Sequence, residues 1–445
     1  GSAGELAQLR LADGKGGFSG KWTEDFRADK DCEDSGAVFL DADGDKDLDL
    51  CVVSGTNEFL PDAKEQRARL YLNDGKGGFT ADTGFPDIRV FAGAVAAADF
   101  DKDGLTDLFI GARCKAQDWP RSDRSRLLRN VSAKGTVKFE DVTDTVAGLA
   151  TAGLVSSAAW IDADGDHWPD LALTCEWGPV RLFSNIQGRL KETTAEAGLA
   201  AVTGWWNSIV PADLNGDGKM DLVVGNLGLN SKYKTPDAEH PMVTYYGVFD
   251  DSGKCQVVEV KREKNELGDV LYPERGRGCS STAMPFIKSK FPTFKTFAIA
   301  SLTDVYSEAK LKAAEKYEAN EFRSGVWINQ GSGRFAWMPF IREAQNAPVF
   351  GIAAADFTGD GKVDLFLAQN WLHGPQIETS RYDNGIGLLL KNDGEGNLTP
   401  VAPLESGISL SGCMKAVSVQ DVNGDGKVDI VITRNSAPAV VLEKQ

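Results

Sequence analysis

The chain has 445 residues, 42% hydrophobic and 25% charged, with a net charge of −17. That length allows one large core or several small ones. The acidic balance excludes the basic face that a nucleic-acid partner requires. No run of 18 or more apolar residues exists, so no helical membrane span is expected.

In chain order, GSAG at residues 1–4 reads as a cloning remnant, and QLRLADGKGGFSG (8–20) reads as strand-like. The first acidic loop, DADGDKDLDLCV, carries Asp41, Asp43, Asp45 and Asp49 at its positions 1, 3, 5 and 9. The same spacing returns as Asp99, Asp101, Asp103 and Asp107, then as Asp162, Asp164, Asp166 and Asp170. It returns again as Asp213, Asn215, Asp217 and Asp221, as Asp356, Thr358, Asp360 and Asp364, and as Asp421, Asn423, Asp425 and Asp429. Oxygen side chains on alternate residues of a tight loop converge on one point, as a hard cation such as Ca²⁺ requires. Six bound Ca²⁺ would bring the net charge to about −5. Position 12 is Val52, Ile110, Leu173, Val224, Leu367 or Ile432, where an EF-hand needs a bidentate Glu. The apolar runs on both sides of each loop read as buried strands, so the loop joins two strands.

Successive loops start 58, 63, 51, 143 and 65 residues apart. A period near 60 suits a four-stranded propeller blade with long loops. Hairpins follow the acidic loops: RLYLNDGKGGF (69–79), RLLRNVSAKGTVKF (126–139), RLFSNIQGRL (181–190), GVWINQGSGRF (325–335) and GLLLKNDGEGNL (387–398). The 143-residue gap is expected to hold a degenerate fifth blade at MVTYYGVFDDSGKCQVVEV (242–260), with Val248 in place of the first Asp and no calcium. An irregular, helical insertion is expected over 262–322, because 280–320 has helical spacing and helix formers. The expected fold is therefore all-β: one domain over 1–445, a seven-bladed β-propeller, with six blades as the alternative. The two chain ends, 8–20 and 439–445, are expected to pair within one blade and close the ring. The seven cysteines fit no metal spacing, and Cys255 with Cys279 is the expected disulfide if there is one.

These six loops, GNLGLNSKYK (225–234), KFPTFKTFAIASLTDVYSEAKL (290–311) and RYDNGIGLLL (381–390) resemble the FG-GAP/VCBS repeat proteins, within them the bacterial branch related to ASPIC/UnbV proteins. The resemblance implies a calcium-loop propeller, extracytoplasmic and bacterial, that acts in binding or adhesion, with carbohydrate-active relatives. This chain departs from the family in lacking an ASPIC-type tail and in carrying Lys46 and His167 where the loop glycine is usual. Those two loops are expected to be the weaker calcium sites.

Loops opposite the acidic ones are rich in aromatic and charged residues. Trp177, Trp205, Trp206, Asn226, Trp371, His373, Arg381, Tyr382, Asp383, Lys415 and Arg434 form the expected ligand face. Aromatic rings beside a few polar groups in a concave mouth make a default binding site. Trp205 and Trp206 are adjacent on one strand, so they should point to opposite faces, one to the core and one to the ligand. The expected partner is a glycan or an extracellular protein, bound by a monomer. The alternative is a polysaccharide lyase with His373 or Tyr382 as base.

Overall fold

The computed structural model describes residues 4, 7–13, 17–21, 24–133, 135–233, 236–266, 268–372 and 381–444. Strands dominate it, and every paired strand in its sheets is antiparallel to its neighbour. A hairpin of β1 (Leu9–Ala12) and β2 (Phe18–Lys21) comes first. The first full sheet is β3 (Asp34–Leu40), β4 (Asp49–Ser54), β5 (Arg69–Asn73) and β6 (Phe79–Ala81), side by side in chain order. The second repeats it with β7 (Phe91–Ala98), β8 (Asp107–Cys114), β9 (Arg126–Asn130) and β10 (Phe139–Asp141). The third uses β11 (Leu154–Ile161), β12 (Asp170–Pro179), β13 (Arg181–Asn185) and β14 (Leu190–Glu192), with β15 (Thr203–Trp205) also paired to β12.

The fourth sheet begins with β16 (Ser208–Ala212) and β17 (Asp221–Gly225), and then the chain leaves it. It builds a separate sheet from β18 (Met242–Gly247), β19 (Gln256–Asn265), β20 (Gly268–Pro273) and β21 (Glu315–Ala319), in the order β20-β19-β18-β21. Short helices between Arg277 and Ala313 bury Ile287, Phe297, Leu302 and Val305 against Val243, Val258 and Val260 of that sheet. Only then do β22 (Gly325–Gly331) and β23 (Arg334–Pro339) return, with Leu222 opposite Trp327 and Trp327 opposite Trp337. The fifth sheet is β24 (Val349–Ala355), β25 (Asp364–Gln369), β26 (Leu388–Asn392) and β27 (Leu398–Pro400). The sixth has three strands, β28 (Met414–Gln420), β29 (Asp429–Arg434) and β30 (Ala437–Leu442).

This topology corrects the expected fifth blade and the expected pairing of the chain ends. The segment 242–260 is part of an inserted α/β unit between β17 and β22, and not a degenerate blade of the ring. The hairpin 325–335 completes the sheet of the Asp213 loop, because its hydrogen-bond register is with β17. The chain ends do not share a sheet either: β1 pairs with β2 and β30 with β29.

The innermost strands touch in sequence, β3 to β7, β7 to β11, β11 to β16, β16 to β24 and β24 to β28. Glycine makes this approach possible at two places. A Cβ on Gly93 would lie 2.0 Å from the Val155 carbonyl oxygen, and one on Gly351 would lie 2.5 Å from that of Lys415. The second strands, such as β4 and β25, are buried along their whole length because they are sandwiched on both faces. Their apolar interiors, Leu50–Val53 and Leu365–Ala368, follow from that position. No disulfide joins Cys255 to Cys279, so that expected pairing is not formed.

Candidate functional site

Each acidic loop runs from a first to a second strand, so all six lie at one end of the sheets. Within a loop the position-1 carboxylate folds the turn around itself. The Gly44 and Lys46 N–H groups donate to Asp41 at 2.8 and 3.1 Å, and the pattern repeats at Asp162, Asp356 and Asp421. Position 6 is left-handed in every loop, with φ of 80° at Lys46, 92° at Gly104, 68° at His167 and 81°, 82° and 81° at Gly218, Gly361 and Gly426. Lys46 and His167 thus take the glycine conformation at a steric cost.

Carboxylate oxygens of Asp41, Asp43 and Asp45 lie within 4.8 Å of one another, as do those of Asp99, Asp101 and Asp107 and those of Asp162, Asp164 and Asp170. These groups could hold a metal ion. Burial pushes the Asp107 carboxyl up to about 7 and Asp170 up to about 6, with neighbouring loop carboxylates pushing the same way. A dication at the focus would offset both effects, so the residues fit such an ion. In the other three loops Asn215, Thr358 and Asn423 supply a neutral oxygen at position 3.

The position-9 Asp has a second job that sequence reasoning missed. One Asp49 oxygen accepts the Ala42 N–H at 2.8 Å, and the other accepts the Asn73 N–H of the third strand at 2.8 Å. Asn130, Asn185, Asn329 and Asn392 stand at the same place in the next four sheets. Each of those four side-chain amides donates to a carbonyl in its own loop and also to position 2 of the preceding loop. Asn130 reaches the Ala42 oxygen at 3.0 Å, Asn185 that of Phe100 at 2.7 Å, Asn329 that of Ala163 at 3.0 Å and Asn392 that of Leu214 at 2.7 Å. In the sixth sheet Lys444 takes the place, its N–H on Asp429 and its ammonium on the Asp356 carbonyl, both at 3.0 Å. The signal was an Asn at the same position of five hairpins.

The opposite end of the innermost strands holds most of the expected ligand face. Trp206 is fully buried with its N–H on the Gly178 carbonyl at 2.9 Å, and it packs edge-on to Trp337. Trp205 points the other way, as alternation requires, yet it too is buried, among Trp177, Tyr233 and Phe322. Asn226 is a strand clamp, accepting the Trp205 N–H and donating to the Glu321 carbonyl. Trp206 is core between the third and fourth sheets, with Leu182, Ile209 and Trp327, whereas Trp177, Trp205 and Asn226 are covered by the inserted unit: Gly204 bridges Glu321, and Arg121 pairs with Glu315 at 2.7 Å.

Tyr382 is 1% exposed and its hydroxyl accepts the Lys232 N–H at 3.2 Å. Burial pushes its pKa up, so it is ill placed for a base. His373 lies outside the described residues. Arg434 is tied to the Pro438 and Ser411 carbonyls. Arg381 and Asp383 are exposed and line a groove with Leu372 and Ser409.

What remains open to solvent is a circle of half-buried groups around Trp205. Trp119 and Trp371 pack on it at 6.2 and 6.1 Å, Phe350 lies 6.1 Å from Trp371, and the Lys415 ammonium sits 3.4 Å over the Phe350 ring. Arg113 pairs with the buried Glu176, which also accepts the Trp119 N–H. Lys415 has no carboxylate partner among the described residues. Burial pushes its ammonium down to about 8, and Arg113 nearby pushes the same way. A second cavity, which the sequence did not suggest, lies on the inserted sheet between Tyr233, His240, Lys261 and Glu274.

No curated protein matches this chain. Among solved structures it is similar to the V. cholerae biofilm matrix protein Bap1, at 12% identity over 99% of this chain and 84% of that one, with a TM-score of 0.37. It is also similar to BBS1N in complex with ARL6DN, at 9% identity over 93% of each chain, with a TM-score of 0.35. Residues 41–110 and 162–224 match the family described as FG-GAP-like repeat, so the chain carries FG-GAP-like repeats in these two regions, within its series of successive antiparallel sheets.

Proposed function

We propose that this protein is an extracytoplasmic, calcium-stabilised propeller that binds a glycan or protein ligand, in adhesion or capture, through the end opposite the acidic loops. In this reading Ca²⁺ sits in the six loops, held by the oxygens at positions 1, 3 and 5 with position 9 closing the site. It supplies charge neutralisation and ties loop to strand. Sites of this oxygen-only type fill where calcium is abundant, which favours a location outside the cytoplasm. The ring comprises the six successive sheets, with hairpin β1–β2 as the outer half of a seventh blade.

The observation that carries the ligand reading is Lys415: a half-buried ammonium over Phe350, without a carboxylate partner among the described residues, on a ring that itself packs edge-on to Trp371. A ligand bearing a carboxylate or sulfate would satisfy the cation while its apolar face stacks on the indoles. The test is calorimetry against a panel of acidic polysaccharides and acidic peptides in calcium buffer. Binding that Lys415→Met and Trp371→Ala each weaken about tenfold or more supports the face. Binding indifferent to both would move the site elsewhere.

A further inference from the structure

The two end sheets of the series are exposed where the inner ones are covered. No residue of β7, β11, β16 or β24 is exposed, because a neighbouring sheet lies on each side. On β3, Gly36, Val38 and Leu40 face the second sheet, while Ser35, Ala37 and Phe39 are exposed on the other side, Phe39 to 49%. On β28 the alternation is the same: Val417 and Val419 pack on the fifth sheet, and Ala416, Ser418 and Gln420 are exposed.

The outer half of that open side is already filled. Leu9 of β1 and Phe26 of the helix Glu24–Ala28 pack on Leu50, Val52, Tyr71 and Phe79 of the first sheet. Hairpin β1–β2 therefore stands where the third and fourth strands of a blade stand. In the first sheet the matching strand β5 pairs inward with β4, Leu50 opposite Tyr71. Among the described residues β1 has no such inward partner. The amide clasp is incomplete at the same place. Asn73 donates to its own Leu48 carbonyl at 3.0 Å, but among the described residues it finds no preceding-loop carbonyl like those that Asn130, Asn185, Asn329 and Asn392 each find.

We infer that the gap between the sixth and first sheets is a docking slot for a strand–acidic loop–strand pair of the same repeat, carried by polypeptide outside these 445 residues. The incoming second strand pairs with the free edge of β1, the incoming first strand covers Ala37 and Phe39, and position 2 of its loop offers Asn73 the missing carbonyl. Strand addition of this kind takes its affinity from main-chain hydrogen bonds and its register from the alternate side chains. The inference rests on the seventh-blade reading of β1–β2 and not on the ligand face at Lys415.

The probe is a labelled synthetic peptide of residues 414–434, an inner strand pair of this repeat, titrated in millimolar calcium against the whole chain and read by anisotropy. We expect saturable one-to-one binding, weakened about tenfold or more by Phe39→Asp, whose exposed position spares the fold. Spin labels at Ala37→Cys and Ser418→Cys, with Cys255 and Cys279 replaced by Ser, measure the gap. A separation near 20 Å leaves room for a sheet, whereas one near 10 Å means six sheets close directly and the seventh-blade reading fails. An open gap with no saturable binding, or binding indifferent to Phe39→Asp, overturns the docking inference. So does a dimer that Phe39→Asp dissociates, since a second copy would then be the occupant.

Discussion

At the residue scale the acidic loop shows how much a turn can specify by itself. Asp41 accepts two backbone N–H groups within five residues, so the turn needs no distant partner to form. That is why all six loops are legible in the sequence. Lys46 is the residue that fits worst, since φ of 80° places its Cβ against the following carbonyl. Lys46→Gly is expected to stabilise the protein by about 1 kcal/mol, measured by urea unfolding, because glycine takes this φ freely. An unchanged or lower midpoint would mean that Lys46 makes a compensating contact. The clasp amides point the other way. Asn185→Ala would leave the Phe100 and Pro169 carbonyls without their buried donor, while the backbone N–H on Asp170 is kept. A loss of about 1–3 kcal/mol in the same measurement is expected, and a neutral result would show that water replaces the amide.

At the element scale the sequence is a poorer guide, and the inserted unit shows why. Strand–turn–strand at 242–260 has the local look of any blade, and nothing within it says that β22 will pair with β17 instead. That decision is made by register across a long separation, where Trp327 sits between Leu222 and Trp337. The same long-range packing turned expected ligand tryptophans into core. Exposure cannot be read from a residue type when an insertion some hundred residues later covers it. Trp206, buried instead between the third and fourth sheets against Trp327 and Trp337, is expected to cost about 3–5 kcal/mol on replacement by Ala, as for other large buried aromatics, and to act on stability before it acts on any ligand. Denaturant titration beside circular dichroism checks this; a folded variant of wild-type stability would put Trp206 back on the surface.

At the scale of the whole molecule, charge and metal decide the balance. The loops gather acids at one end of a chain of net charge −17, and burial already presses Asp107 and Asp170 toward the protonated form. If Ca²⁺ fills the loops, each site held at about a hundredfold above its Kd adds about 2.7 kcal/mol to the folded state. Excess EDTA is then expected to lower the melting temperature by tens of degrees, with restoration on adding Ca²⁺. A melt unchanged after metal analysis shows the chain to be metal-free would remove the stabilising role.

Lys415 gives the second whole-molecule test. Its folded pKa, about 8, lies below the ordinary lysine value, so burial opposes the charged form and folding carries that penalty below pH 8. The penalty is relieved as pH rises from 8 toward the unfolded value of about 10.4, so this group makes the protein relatively more stable across that window. Lys415→Met removes the titration. The variant should melt above the wild type at pH 7, and the difference should shrink by pH 10. Affinity for an anionic ligand should fall over the same rise in pH in the wild type and stay flat in the variant, because only the protonated amine attracts the anion. A ligand whose affinity ignores pH between 7 and 10 would be held by Arg113 or by the indoles alone.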